Sequence, residues 1–392
     1  MLRDELLGRV RALQDKISAS GLDSYVVSSE DSIWYLSAIS YKPEERPFFI
    51  VVKPGEKPVM VVPKMEEAHL SKTLLECSIV SYWEYPSPTG TNWFETLADV
   101  TGSNSRVGVE VNIPADILDK ITAGEVVRID LVGDLRKVKS AAEISAIRKT
   151  AAKCDSAMAM IFKNAYVGAT AVEPFALSKS IQTGLIKSRE FDPITTSLLT
   201  AVWPAPVSAM PHSIPDLADR MSKGPNVAMS YFRINGYAAE CERTFFLGSP
   251  DEDDKIRFAH MMEARELALS MVKAGMSCSD LDAEVKSFLI ARGYKDNLLH
   301  RTGHGIGMGN HEMPWLAEGS DDTLMKNMVV SVEPGLYFAG CGGYRHSDTV
   351  LVTESGYEML TKFPADLDAV TITGSNTMAK LKGKIIQKTL KI

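Results

Sequence analysis

The strongest constraint on the fold is a change of pattern near residues 135 to 140. Before it, the short β-branched runs "SYVVSS", "FFIVVK" and "PVMVVP" are separated by turn residues, with "KPGEKP" the clearest hairpin signal. After it, "AAEISAIRKTAAKCDSAMAMIFKNA" reads as one long amphipathic helix. Further helices are expected around 170 to 187, 252 to 274 and 278 to 292, with strands clustered at 226 to 248 and 328 to 353. Helix pairs on a mostly antiparallel sheet make an α+β domain, preceded here by a smaller α/β unit. The 392 residues have room for both cores. We place the domains at 1–136 and 137–373, followed by a basic C-terminal tail at 374–392, read as a solvated helix or loose end.

With 45% apolar and 24% charged residues, the composition is that of a soluble globular protein and excludes disorder. No apolar run approaches the roughly 20 residues of a membrane span, and the charged opening "MLRDELLGRVRALQDKIS" lacks the apolar core of a signal peptide. A cytoplasmic location and no membrane partner are expected. The net charge of -7 offers no field attractive to nucleic acid. The five cysteines form no CxxC pair, which points to reduced thiols.

The chemistry concentrates in "LLHRTGHGIGMGNHEMPW", where His300, His304 and His311 fall among glycines. The i, i+4 spacing of the first two would suit a helical zinc site, but Gly303, Gly305, Gly307 and Gly309 argue for extended or looping backbone. Glu333 closes the apolar strand "VVSV" before a Pro-Gly turn, where a carboxylate needs a cation, a metal or a set of hydrogen bonds. Glu240 and Glu242, two apart in "GYAAECERTFFLG", face one side of a strand and could share a metal or clamp a cationic substrate. His212 lies in a loop between prolines, and His346 and Asp348 open a β-branched strand.

The order of these residues resembles the creatinase and Xaa-Pro peptidase (prolidase, aminopeptidase P) superfamily. The motifs are "LRKVKSAAEISAIRKTA", "GYAAECERTFFLG", "HRTGHGIGMGNHEMP", "VVSVEPGLY" and "GGYRHSDTVLVTESG". The resemblance implies a pita-bread catalytic domain behind a smaller creatinase-type N-terminal domain. It also carries over site residues. The metal-dependent peptidases hold two divalent ions on five side chains. Three of these fall on Glu240, His304 and Glu333, the first aspartate on Ser230 or Met229, and the last glutamate on Ser347. Two carboxylates are therefore missing, and a two-metal clamp is not expected.

Creatinase, the metal-free branch, has counterparts of His212, Glu242 and Glu333. Its substrate-loop arginine, contributed across a dimer, falls on Arg46 and its second carboxylate-binding arginine on Trp315. The leading expectation is thus a C–N hydrolase of a small amino-acid-derived substrate that needs no cofactor. In it His212, His300 and His311 are catalytic, while Arg46, Glu242, Glu333 and His346 bind substrate in a homodimer. The alternative is an Xaa-Pro dipeptidase or aminopeptidase acting on dipeptides with one Mn, Co or Zn ion on Glu240, His304 and Glu333. A third reading is a pita-bread binding protein without catalysis.

Overall fold

The computed structural model describes residues 3–42, 44–374 and 376–392. The chain divides into two compact units, Met1–Arg136 and Lys137–Ile392.

In the first unit, six strands form one mixed sheet in the order Ser78–Tyr82, Val59–Pro63, Phe49–Val52, Ser24–Val27, Arg106–Val109 and Glu125–Arg128. The "KPGEKP" turn joins antiparallel partners, Phe49 standing opposite Val61. Val26, Phe49, Val51, Val61 and Val107 make the sheet's contribution to a core closed by Trp93 and Leu97. Those two lie on the helix Trp93–Thr101, which Asn92 and Glu95 start with a reciprocal capping box.

The second unit is built on a nine-stranded sheet. Its main path runs Glu312–Leu316, Gly303–Gly305, Val329–Val332, Ser347–Val352, Tyr237–Leu247, Asn226–Ile234 and Ser197–Trp203, antiparallel at each step. The long helix Ala141–Asn164, opened by a Ser140/Glu143 capping box, lies against one face. Its Cys154 Sγ meets Ala239 O at 3.3 Å and its Thr150 Oγ1 meets Tyr237 O at 3.1 Å. The helix Glu252–Met271 also packs on this face, where Arg265 grips Asp348. The α+β reading therefore describes this unit. The expected helix at 170 to 187 is two, Val172–Phe175 and Ser178–Lys187. Between them Leu177 N–H turns back to Pro174 O, which also accepts Thr200 Oγ1 at 2.7 Å, and this tightening interrupts the α-helical ladder.

Strand alternation decides which residues reach the uncovered face. Cross-strand partners point the same way, so Trp315, His304, Ser331 and Thr349 form one row. Glu242 pairs with Ser347 on one side and Met229 on the other, and Glu240 stands opposite Tyr231. Asn235 and Gly236, both at positive φ, close that hairpin in two residues and fix its register. The glycines beside His304 are required by close approach: a Cβ on Gly303 would lie 2.0 Å from Ser331 O, and one on Gly305 2.2 Å from Met313 O.

The last described helix, Thr377–Leu390, covers most of the segment read as a basic tail. Among the described residues no helix is long and apolar enough to cross a membrane.

Candidate functional site

Glu240 is the centre of the uncovered face. It is 2% exposed, and its Oε1 accepts hydrogen bonds from Ser331 Oγ at 2.8 Å and Ser347 Oγ at 2.9 Å. Its Oε2 accepts no hydrogen bond, and His304 Nε2 meets only the carboxylates of Glu240 and Glu333. His304 is fully buried, with Nε2 3.5 Å from Glu240 Oε1 and 3.2 Å from Glu333 Oε1. The His311 ring lies over it, centroids 3.9 Å apart. Ligand atoms of Glu240, His304 and His311 all fall within 4.8 Å of one another.

Burial opposes the charged form at each of these groups, and the neighbours decide the outcome. Burial raises the Glu240 carboxyl despite His304. The His304 imidazole is pushed up to about 9, because the Glu240 and Glu333 charges outweigh its desolvation. Glu333 falls to about 2: burial disfavours its charge, but the hydrogen bond and charge of His304 win. Burial and then the charge of His304 hold His311 down to about 4, so it is a neutral donor. With both carboxylates ionised, buried Glu240 and half-buried Glu333 carry one negative charge more than the His304 imidazolium offsets, a state that burial opposes at Glu240. A divalent cation offsets that excess, and Glu240 Oε2 and His304 Nε2 are atoms that could hold one.

The other expected residues separate. Glu242 shares the face but is already paired: Arg345 Nη2 donates to its Oε1 at 3.0 Å and Arg345 Nε to its Oε2. Burial still pushes the Glu242 carboxyl up to about 7. Arg345 also donates to Tyr337 Oη at 3.1 Å, and that hydroxyl lies 2.7 Å from His300 Nε2. His300 Nδ1 faces Arg301 O at 2.7 Å, so both its ring nitrogens are engaged. His212 is exposed, near enough to act electrostatically on His300 and His311. Ser230 points away from the cluster, donating to Cys154 O and Cys241 O, so Met229 is the β-hairpin residue that faces Glu242.

His346 is not at the site. The alternation that turns Ser347 toward Glu240 turns His346 into the helix-covered side, where it is fully buried. There Thr244 N–H reaches Nδ1 at 3.2 Å, Nε2 meets Ala365 O at 2.9 Å, and Phe258 packs on the ring. Substrate binding by His346 is ruled out in this arrangement. In the N-terminal unit, Arg46 bonds Glu84 at 2.6 Å through Nε and is also paired with Glu45.

Sequence reasoning missed Arg345, Tyr337 and Arg301, whose guanidinium lies 4.3 Å over the Trp315 ring. All three lie inside motifs already quoted, and counting alternate residues back from Ser347 would have found Arg345.

Residues 145–354 match the sequence profile of metallopeptidase family M24, and residues 9–138 match the creatinase/prolidase N-terminal domain. The Xaa-Pro dipeptidase of Pyrococcus furiosus is 26% identical over 366 residues, 92% of this chain and 99% of that protein. An uncharacterized peptidase of Staphylococcus aureus (strain USA300) is 25% identical over 91% of this chain and 99% of its own. The crystal structure of the dipeptidase PepE from Mycobacterium ulcerans superposes with a TM-score of 0.83 at 24% identity, over 95% of this chain and all of that one. The fold is thus the pita-bread domain behind a creatinase-type N-terminal domain. The same findings correct one expectation. A reaction without any cofactor does not agree with membership of a metallopeptidase family, nor with a ligand triad at the buried carboxylate. The chain belongs to metallopeptidase family M24 and is a C–N hydrolase of the creatinase/Xaa-Pro peptidase superfamily.

Proposed function

We propose that the protein is an Xaa-Pro dipeptidase or aminopeptidase that works with a divalent ion. The observation that carries this reading is the buried pair of ligand atoms, Glu240 Oε2, which accepts no hydrogen bond, and His304 Nε2, which meets only the Glu240 and Glu333 carboxylates. The substrate class comes from the relatives, the Pyrococcus furiosus Xaa-Pro dipeptidase first. When bound at Glu240 and His304, the ion supplies Lewis acidity at the scissile carbonyl.

The chain's own groups do the rest. Glu333, at the rim of the cluster with Oε1 3.2 Å from His304 Nε2, is placed to take a proton from the attacking water and pass it to the departing proline nitrogen. Tyr337, held between His300 and Arg345, keeps its hydroxyl fixed beside that path. Arg301 over Trp315, together with the exposed imidazole of His212, receives the carboxylate of the dipeptide. A creatinase-like clamp on a cationic substrate asks Glu242 for a charge it already gives to Arg345, so this reading is the weaker one.

A panel of Xaa-Pro dipeptides and of guanidino and amidino acids, each with and without chelator, tests the assignment. Chelator-sensitive release of proline is expected. Chelator-insensitive turnover of a guanidino acid sinks it.

The chain is further proposed to act as a homodimer, with Arg46 exchanging Glu84 for the carboxylate of substrate in the neighbouring site. Sedimentation across a dilution series checks this. A monomer with undiminished activity contradicts it.

A further inference from the structure

The geometry points to a centre for a single ion, ligated by Glu240, His304 and His311, which selects zinc over manganese. The inference rests on the metal-dependent reading above and specifies that site's stoichiometry and ion class.

Three observations lead there. The first is the ligand set. Glu240 and His304 are 2% and 0% exposed, Glu240 Oε2 accepts no hydrogen bond, His304 Nε2 meets only carboxylate oxygens, and His311 closes the triad from the exposed side. The two hydroxyls of Ser331 and Ser347 occupy Glu240 Oε1, so the carboxylate has one oxygen to give. Two imidazole nitrogens and one carboxylate oxygen suit zinc, whereas manganese favours sites of carboxylate, carbonyl and water.

The second observation is the charge count. Two dications bring four positive charges, and the carboxylates facing the cluster are Glu240 and Glu333 alone among those described here. Glu242 is neutralised by Arg345, which brings a positive charge of its own to the same face. A second dication would be buried without enough anions around it.

The third is what stands opposite Glu242, on the same face as Glu240, instead of further carboxylates. Met229 sits opposite Glu242 in the hairpin register and offers a thioether. Ser347 is opposite Glu242 on the other side, and its hydroxyl donates to Glu240. A hard dication finds no ligand in that pair.

The test uses full-length protein stripped with chelator, equilibrated with excess zinc or manganese, and then dialysed against ion-free buffer. Elemental analysis and thermal unfolding are read together. One zinc per chain is expected to remain, with a raised Tm, while manganese is lost. His311→Ala and His311→Gln should each weaken zinc retention at least tenfold, while Glu333→Gln keeps one zinc. Two retained ions per chain, or both His311 variants holding zinc as tightly as the parent, overturn the single-ion triad and leave the metal-dependent peptidase standing. No retained divalent ion, with proline release unchanged in chelator, overturns both.

Discussion

Replacing His304 with alanine is expected to abolish both divalent-ion retention and hydrolysis. His304 is the one cluster residue that meets both carboxylates, at 3.5 Å from Glu240 and 3.2 Å from Glu333, and it is fully buried. Its removal takes away the proposed ligand and leaves the Glu240 and Glu333 carboxylates without the imidazole that pairs with both. Losing a residue that merely supports a ligand typically costs roughly 10–100-fold in affinity or activity, and losing the ligand itself should exceed that. Elemental analysis and initial rates on an Xaa-Pro dipeptide check both halves. A His304→Ala protein with intact fold and substantial activity would remove the cluster from the mechanism.

Replacing Asp348 with alanine should destabilise the fold by about 3–5 kcal/mol without any direct effect on the chemistry. Asp348 lies on the helix-covered side of the sheet, fully buried, with Arg243 Nη2 at 2.7 Å and Arg265 Nη2 at 2.6 Å. Thr361 Oγ1 completes the set at 3.0 Å. The two arginines outweigh burial and hold its carboxyl below the usual range, so the native state relies on the ionised form. Without it, two guanidiniums face each other in the core. Urea unfolding of the variant and parent measures the difference, and a change under about 1 kcal/mol, the usual limit for exposed pairs, would contradict it.

Asp348 and its neighbours also show how far the sequence could be read. The strand "SDTVLV" and its acidic residue were legible, as was the fact that Glu240 and Glu242 share a face, because period-two alternation is local. What alternation alone does not supply is phase between distant strands. Ser347 and His346 are adjacent, and only the pairing of Ser347 with Glu242 decides which of them enters the site. The same holds for Ser230 and Met229, separated by the register that the Asn235–Gly236 turn imposes. The Glu242–Arg345 pair spans 103 residues, so Glu242 looks like a free substrate carboxylate until the fold delivers its partner. The glycine-histidine stretch, expected to be extended or looping, is a short strand at Gly303–Gly305 followed by a loop up to the strand Glu312–Leu316, and Gly303 and Gly305 leave no room for side chains. Which of its three imidazoles faces a buried carboxylate depends on the bulge between His304 and Gly305, and no spacing rule reveals that.

The most direct test of the account is the initial rate of proline release from an Xaa-Pro dipeptide, measured on purified protein, after chelation, and after zinc is returned. The rate is expected to fall to background on chelation and to recover with the ion, because the ligand atoms of Glu240, His304 and His311 converge within 4.8 Å of one another. A rate that is indifferent to chelator, in protein shown by elemental analysis to be free of metal, would contradict it.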